Sequence, residues 1–424
     1  MLAQAIGLTR ILSWTRKGGF AVLDQVLFAG TNFLANILLA RWLEPTQYGS
    51  FALAYVIFLL VSTAHTSIIT EPMIVFGAGK YAQCLPQYIS VLMYGHWWMT
   101  GLISLIFAAM AIVLRQEGPA DLGQAMAGLA PASPLILLMW LVRRAFYVPG
   151  LPQWSATGGA LYLGLMLAGM YGLYQEQWLS TASALLMMGV ASLLVSLWLL
   201  TLLWPQWPSA GSPLTPKIVY AEHWGYGRWA LATAAVTSIP GSLCHTLVAA
   251  WVGLEGSAVL RAIMNLVMPM LHANTAIAVL LVPCFVQAFT PEGRLRFQRL
   301  VRMGLILFAL TSIGYWSFLF CFHAEVLGWV YGGRYTDETN VLLLAGMLPL
   351  PAGVSVVLGS ALRAMKRPDL ICRCQAIGAV VIMALGFWLI PLYGVSGAVV
   401  AGLSSSVAAA VAVLWAYRRL TVTY

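Results

Sequence analysis

Residues 24–55 read DQVLFAGTNFLANILLARWLEPTQYGSFALAY. Their first part closes an apolar helix that ends at Ala40, about 20 residues long and therefore able to cross a bilayer. The turn RWLEPTQYG follows, with Pro45 and Gly49 marking the bend, and a second apolar helix runs from about Phe51 to Ile69. The first helix carries Asp24, Gln25, Thr31, Asn32 and Asn36. At about 100° per residue these five fall within an arc of roughly 140°. A membrane helix with such a stripe must turn it toward protein or a wet cavity, because lipid offers polar groups no partner.

The whole chain fits this start. It has 424 residues, of which 61% are hydrophobic and 8% charged. Soluble domains carry about 25% charged residues, so the chain reads as a polytopic membrane protein. Mean hydropathy is +0.86. The longest polar stretch, 204–223, is too short for a soluble domain. The net charge of +9 reports topology rather than nucleic-acid binding. The six cysteines suggest no disulfide framework, and the Cys372-Arg-Cys374 pair lacks the second pair a metal site needs. The N-terminal MLAQAIGLTRILSWTRKGG has no A-x-A cleavage site and reads as a cytoplasmic amphipathic lead-in.

Hydropathy predicts about twelve spans, near 20–40, 50–69, 88–114, 123–147, 155–175, 179–203, 225–251, 258–288, 302–322, 340–361, 370–390 and 395–417. On that layout eighteen of the 22 Lys and Arg residues fall on the side of the termini, and only Arg41, Arg115, Arg261 and Arg334 fall on the other. The positive-inside rule then places both termini in the cytoplasm. Segment 204–223, with four prolines, reads as a cytoplasmic linker between a six-helix lobe at 1–203 and another at 224–424. Gly49-Ser50 and Gly256-Ser257 open the second helix of each lobe, a weak internal repeat of the kind that builds transporters around a cavity. The expected fold is all-α.

No enzyme signature stands. Gly77-Ala-Gly-Lys80 fails the phosphate-loop pattern, and no H-E-x-x-H or G-x-S-x-G is present. No cofactor is implied. The polar residues suggest a binding site instead. Arg261, Asn265 and His272 share one face of the eighth helix within about 40°. With the first-helix stripe they are expected to line one polar pocket. Arg41 and Arg261 would lie near its outer mouth, with Arg228 toward the cytoplasmic end. Arginine binds phosphate through a planar fork, which suits a pyrophosphate or an anionic sugar. The plainer reading of Arg41 and Arg261 is as interfacial anchors that snorkel to head groups. His272 alone also fits a helix–helix hydrogen bond. Asp24 is the one acid well inside a span, so it needs a partner or a proton. It is a candidate ion-coupling site, or the partner of an arginine.

The turn ARWLEPTQYGSFALAY resembles the signature of polysaccharide transporters of the multidrug/oligosaccharidyl-lipid/polysaccharide exporter superfamily, which includes the O-antigen (Wzx-like) flippases and exopolysaccharide exporters. HWGYGRWALATAAV, EGSAVLRAIMNLVMP, VYGGRYTD and GSALRAMKRPD continue the match in order along the chain. The resemblance implies two six-helix lobes around a central cavity in the bacterial inner membrane. It implies a polyprenyl-pyrophosphate-linked oligosaccharide as substrate, moved by alternating access for cell-surface or exopolysaccharide synthesis. Membrane lipids are partners, along with a polymerase and glycosyltransferases of the same pathway. Arg41 and Arg261 occupy fitting places for the cationic residues such flippases use, and Asn32, Asn36, Asn265, His272 and Arg228 complete the candidate substrate contacts. The alternatives are an ion-coupled multidrug antiporter of the same superfamily, and a polysaccharide polymerase or scaffold subunit.

Topology gives a direct test. In a background without native cysteines, Asp337→Cys and Glu117→Cys should react with an impermeant thiol reagent in intact cells. Glu292→Cys and Lys366→Cys should react only after permeabilisation, and the opposite pattern would reverse the assigned orientation.

Overall fold

The computed structural model describes residues 2–203, 214–289, 293–365 and 367–423. The first half of the expected linker, 204–213, lies outside them. The described chain is helical without strands. Its helices are α1 (Leu2–Trp42), α2 (Pro45–His65), α3 (Glu71–Ala78), α4 (Leu85–Glu117), α5 (Ala120–Ala145), α6 (Pro152–Gln175), α7 (Thr181–Leu203) and α8 (Pro216–Trp251). They continue with α9 (Leu254–Ala288), α10 (Arg294–Tyr331), α11 (Thr339–Ala345), α12 (Pro349–Ala364) and α13 (Pro368–Thr423). A five-residue π-helical turn, Thr66–Thr70, joins α2 to α3.

Among the described residues ten helical stretches are long and apolar enough to cross a membrane, and the bent pair Pro216–Val236 and Ser238–Trp251 forms another. One of the ten, Asp369–Thr421, has 53 residues. At about 1.5 Å per residue it is more than twice as long as a bilayer core is thick. Gly394 breaks it with φ 57° and ψ −133°, just after Pro391, so it makes two crossings. Only glycine adopts that backbone readily, and the bend follows from it. The total is then about twelve, as hydropathy predicts.

Packing divides the chain into two units, Met1–Ala234 and Ala235–Tyr424. The division falls inside α8. Composition places it at 204–223, but the first half of α8 is bound to the first unit by named contacts. His223 donates from Nδ1 to the Ile68 carbonyl at 2.8 Å, and its Nε2 accepts from the Tyr88 hydroxyl at 2.6 Å. Glu222 accepts from Lys80 and, at 2.9 Å, from Tyr81, and this bond holds the exposed Lys80 ammonium above its ordinary pKa. A Cβ on Gly227 would stand 2.7 Å from the Ser67 carbonyl, so glycine permits the approach.

Within the first unit α5 is the central helix. It is the most buried of the candidate spans, and small residues let α7 come close. A Cβ on Gly128 would lie 2.8 Å from the Ala182 carbonyl, and one on Gly189 would lie 2.9 Å from the Ala132 Cα. Backbone-to-backbone packing of this kind replaces the hydrophobic drive that lipid cannot supply. Pro134 removes the amide that would bond the Ala130 carbonyl, and Ser104 of α4 donates to that carbonyl instead. In the second unit Phe285, Phe297, Phe308, Val357, Leu358, Leu362 and Val413 form the core. Ser405 ties the two arms of α13 together by donating to the Gly378 carbonyl at 2.7 Å. Large apolar side chains such as Trp98, Leu105, Leu310, Trp388 and Trp415 point outward, as a lipid-facing surface requires.

Gly128→Ala and Gly189→Ala should each destabilise the protein by about 1–3 kcal/mol, since the added methyl meets backbone that cannot yield. Gly164→Ala, where nothing lies within 4 Å, should be neutral or slightly stabilising. Equilibrium unfolding in mixed micelles measures all three.

Candidate functional site

The polar stripe of α1 is met mainly by protein. Asp24 is 1% exposed. Arg143 of α5 reaches its Oδ1 with Nη2 at 2.7 Å and Nε at 3.2 Å, and the Tyr147 hydroxyl donates to its Oδ2 at 2.7 Å. The Arg143 guanidinium also lies 4.3 Å from the centre of the Phe28 ring. This adds a cation–π contact where water is scarce. The pair is positioned from several sides. Ser155 of α6 donates to the Arg143 carbonyl at 2.7 Å, and Gly159 leaves room for Asp24 beside α6. Two charges removed from water together in this way cost little while both are present and several kcal/mol when one is lost. A coupling cation would have to compete with Arg143 for the carboxylate.

Further along α1, Thr31 bonds the Leu27 carbonyl, Asn32 the Phe28 carbonyl and Asn36 the Asn32 carbonyl. Their remaining acceptors meet tyrosines of α2. Tyr55 donates to Asn32 Oδ1 at 3.2 Å and Tyr48 to Asn36 Oδ1 at 3.5 Å. Asn36 is buried and Asn32 half-buried. The predicted stripe therefore joins α1 to α2 through Asn32 and Asn36, while its member Gln25 is exposed. Arg41 is exposed in the last turn of α1, where a cation favours the helix dipole. Arg228 is exposed on the first half of α8.

In the second unit Arg261 is half-buried on α9, and Asn265 one turn later is buried. Arg261 acts electrostatically on His245 of α8 and on Tyr331 of α10. Tyr331 is buried, donates to the Ala262 carbonyl at 2.8 Å and interacts with Asn265. Tyr315 donates to the Leu266 carbonyl. Arg261 and Asn265 thus sit in a collar of tyrosine and imidazole, whereas His272, nearly three turns below, is exposed. A half-buried guanidinium surrounded by neutral donors can take a phosphate or carboxylate group.

The residues that sequence reasoning missed are Arg143 and Tyr147. Arg143-Arg144 reads as an ordinary positive-inside pair. The available signal is depth. An acid buried a few residues inside one span needs a cation at the same depth on another, and Arg143 has that place.

Comparison with solved structures supports the fold. Over 95% of this chain and 98% of the other, it matches an inward-facing multidrug resistance transporter of the MATE family and MOP superfamily, with TM-score 0.79 and 11% identity. It also matches the lipid II flippase MurJ in an inward closed conformation, with TM-score 0.71, 12% identity and coverage of 96% and 87%. The fold is that of these transporters. In sequence, 80 residues are 32% identical to the probable low-salt glycan biosynthesis flippase Agl15 of Haloferax volcanii. That segment spans 19% of this chain and 17% of the relative. No protein-family model matches the chain. The resemblance to polysaccharide flippases read from the sequence agrees with these likenesses.

The ion pair makes a measurable claim. Asp24→Ala or Arg143→Ala alone should cost about 3–5 kcal/mol, because each leaves a buried charge unpaired. The double variant should cost clearly less than the two added, and a double-mutant cycle in mixed micelles would expose additive effects if the pair were unimportant.

Proposed function

We propose that the chain is a flippase that moves a polyprenyl-pyrophosphate-linked oligosaccharide across the bacterial cytoplasmic membrane by alternating access, for cell-surface or exopolysaccharide synthesis. It is a transporter and not an enzyme. The observation that carries the reading is Arg261, a half-buried cation near His245 and Tyr331, with Asn265 one turn on. Intramembrane charges of this kind mark substrate pathways. The likeness of one segment to a glycan biosynthesis flippase supports the choice of substrate class. Arg41 and Arg228, both exposed, serve as further anion contacts, with Asn32, Asn36, Asn265 and His272 as polar contacts to sugar. Polymerase and glycosyltransferases of the same pathway are the partners.

The multidrug antiporter reading also fits the fold. It needs carboxylates open to a cation. Among the described residues Asp24 is the one buried acid, and Arg143 and Tyr147 already hold both of its oxygens. A lipid-phosphate substrate asks for cations instead, and the chain has them.

Deletion of the gene should trap lipid-linked oligosaccharide on the cytoplasmic face, and wild type should clear it. Arg261→Ala at normal protein level should lower the rate about ten- to hundredfold, the worth of about 1.5–3 kcal/mol for a hydrogen bond to a charged group. Unchanged flipping with shortened polymer would replace this reading with the polymerase or scaffold one.

A further inference from the structure

We propose that the buried pair His65–His96 is a proton-binding site, through which protonation changes the hold of the first unit on α8. The proposal rests on the transporter reading, since it assigns the pair a part in a conformational cycle. His65 ends α2, His96 lies in the middle of α4, and both are 0% exposed. His65 Nε2 and His96 Nδ1 share a hydrogen bond of 3.0 Å, with the rings nearly perpendicular. Of the other two ring nitrogens, both buried, His65 Nδ1 has no hydrogen-bond partner among the described residues, and the His96 ring has the Pro134 carbonyl of α5 beside it.

The donor count explains why this pair is unusual. The shared bond takes one N–H and one lone pair. Whichever ring donates, its other nitrogen is then a bare lone pair, and the accepting ring's other nitrogen is an N–H that needs a carbonyl. A buried orphan costs about 1–3 kcal/mol, so two aliphatic side chains would fill the site more cheaply. The vacant lone pair is the place for a proton. Once it is taken, the two rings are joined by a charge-assisted bond, which is stronger than the neutral one.

Among the described residues no carboxylate is bonded to either ring. His96 acts electrostatically on His65, and the His96 ring faces the Pro134 carbonyl of α5. Charged and titratable groups on the elements packed against α2 and α4 include Asp24 and Arg41 on α1, Asp121, Arg143 and Arg144 on α5, Lys217, Glu222, His223 and Arg228 on the first half of α8, and Arg115 and Glu117 at the far end of α4. Asp24 and Arg143 neutralise each other. The pair is therefore neutral in this dry arrangement, and a proton must arrive with water. Proton binding and opening of the site are then linked, and acid shifts the population toward the open form.

What opens is adjacent. The π-helical turn Thr66–Thr70 begins at the residue after His65. Such turns are rare and gather at functional sites. This one is the seat of α8, because His223 bonds the Ile68 carbonyl and Gly227 packs on Ser67 and Ile68. The helix held there carries the chain into the second unit. A change in ring charge one residue from the turn acts on that hold.

The test uses the full chain in lipid nanodiscs without substrate. Hydrogen exchange of residues 62–70 and 216–228 is followed from about pH 8 to about pH 5, the window around the ordinary histidine pKa, and corrected for intrinsic rates. Wild type should open more as pH falls, by up to about tenfold per pH unit, the limit for one linked proton. His65→Gln and His96→Gln should each flatten the dependence. A flat wild-type profile, or an unchanged slope in either variant, would overturn the proposal. Should the variants not fold, nitrogen-15 histidine spectra of wild type decide, since two rings that do not titrate together would also overturn it. Because no oligosaccharide is present, this result is independent of whether deletion traps the flippase substrate.

Discussion

A polar group placed in hydrocarbon has no water to bond, and the rest of this structure follows from that constraint. The backbone meets it by being helical throughout the described spans. Where a proline breaks the ladder, a neighbouring side chain restores it, as Ser104 does for the Ala130 carbonyl. Side chains meet it by pairing across helices. Asp24, Arg143 and Tyr147 use three donors and two acceptor oxygens within one buried cluster. Asn32 and Asn36 turn their amides to their own helix and their carbonyls to Tyr55 and Tyr48.

The same constraint makes the exceptions informative. The rings of the buried His65–His96 pair bond each other and leave His65 Nδ1 without a hydrogen-bond partner among the described residues. In the second unit Arg261 is kept half-buried among His245, Asn265 and Tyr331 instead of extending to an interface. Neither arrangement is the cheapest way to fill apolar space, and a cost borne without structural return points to a role in binding or switching.

Shape in the first unit rests on small residues. Gly128 and Gly189 bring α5 and α7 to backbone contact, Gly159 opens room for Asp24, and Gly227 seats α8 on the π-helical turn. In lipid, dispersion between closely matched surfaces takes over much of what hydrophobic burial does in water. A methyl group at these positions therefore changes more than its size suggests.

The sequence by itself determined the fold class, the approximate spans and the polar faces. Hydropathy, Pro/Gly punctuation and the Lys/Arg bias are local or one-dimensional signals, and they survive without coordinates. The family resemblance was legible for the same reason, in short motifs such as ARWLEPTQYGSFALAY. Only the tertiary structure decided what each polar residue meets. Asp24 and Arg143 are 119 residues apart and His65 and His96 are 31 apart, so no periodicity links them. Helical angles placed Asn32 and Asn36 on one side of α1 but could not say that the tyrosines of α2 would be waiting there. The division inside α8 was hidden as well, because it depends on contacts of His223 and Glu222 with residues more than 130 positions earlier. A helix face is set by its own residues, whereas a partner is set by which other helix the fold brings to the same depth.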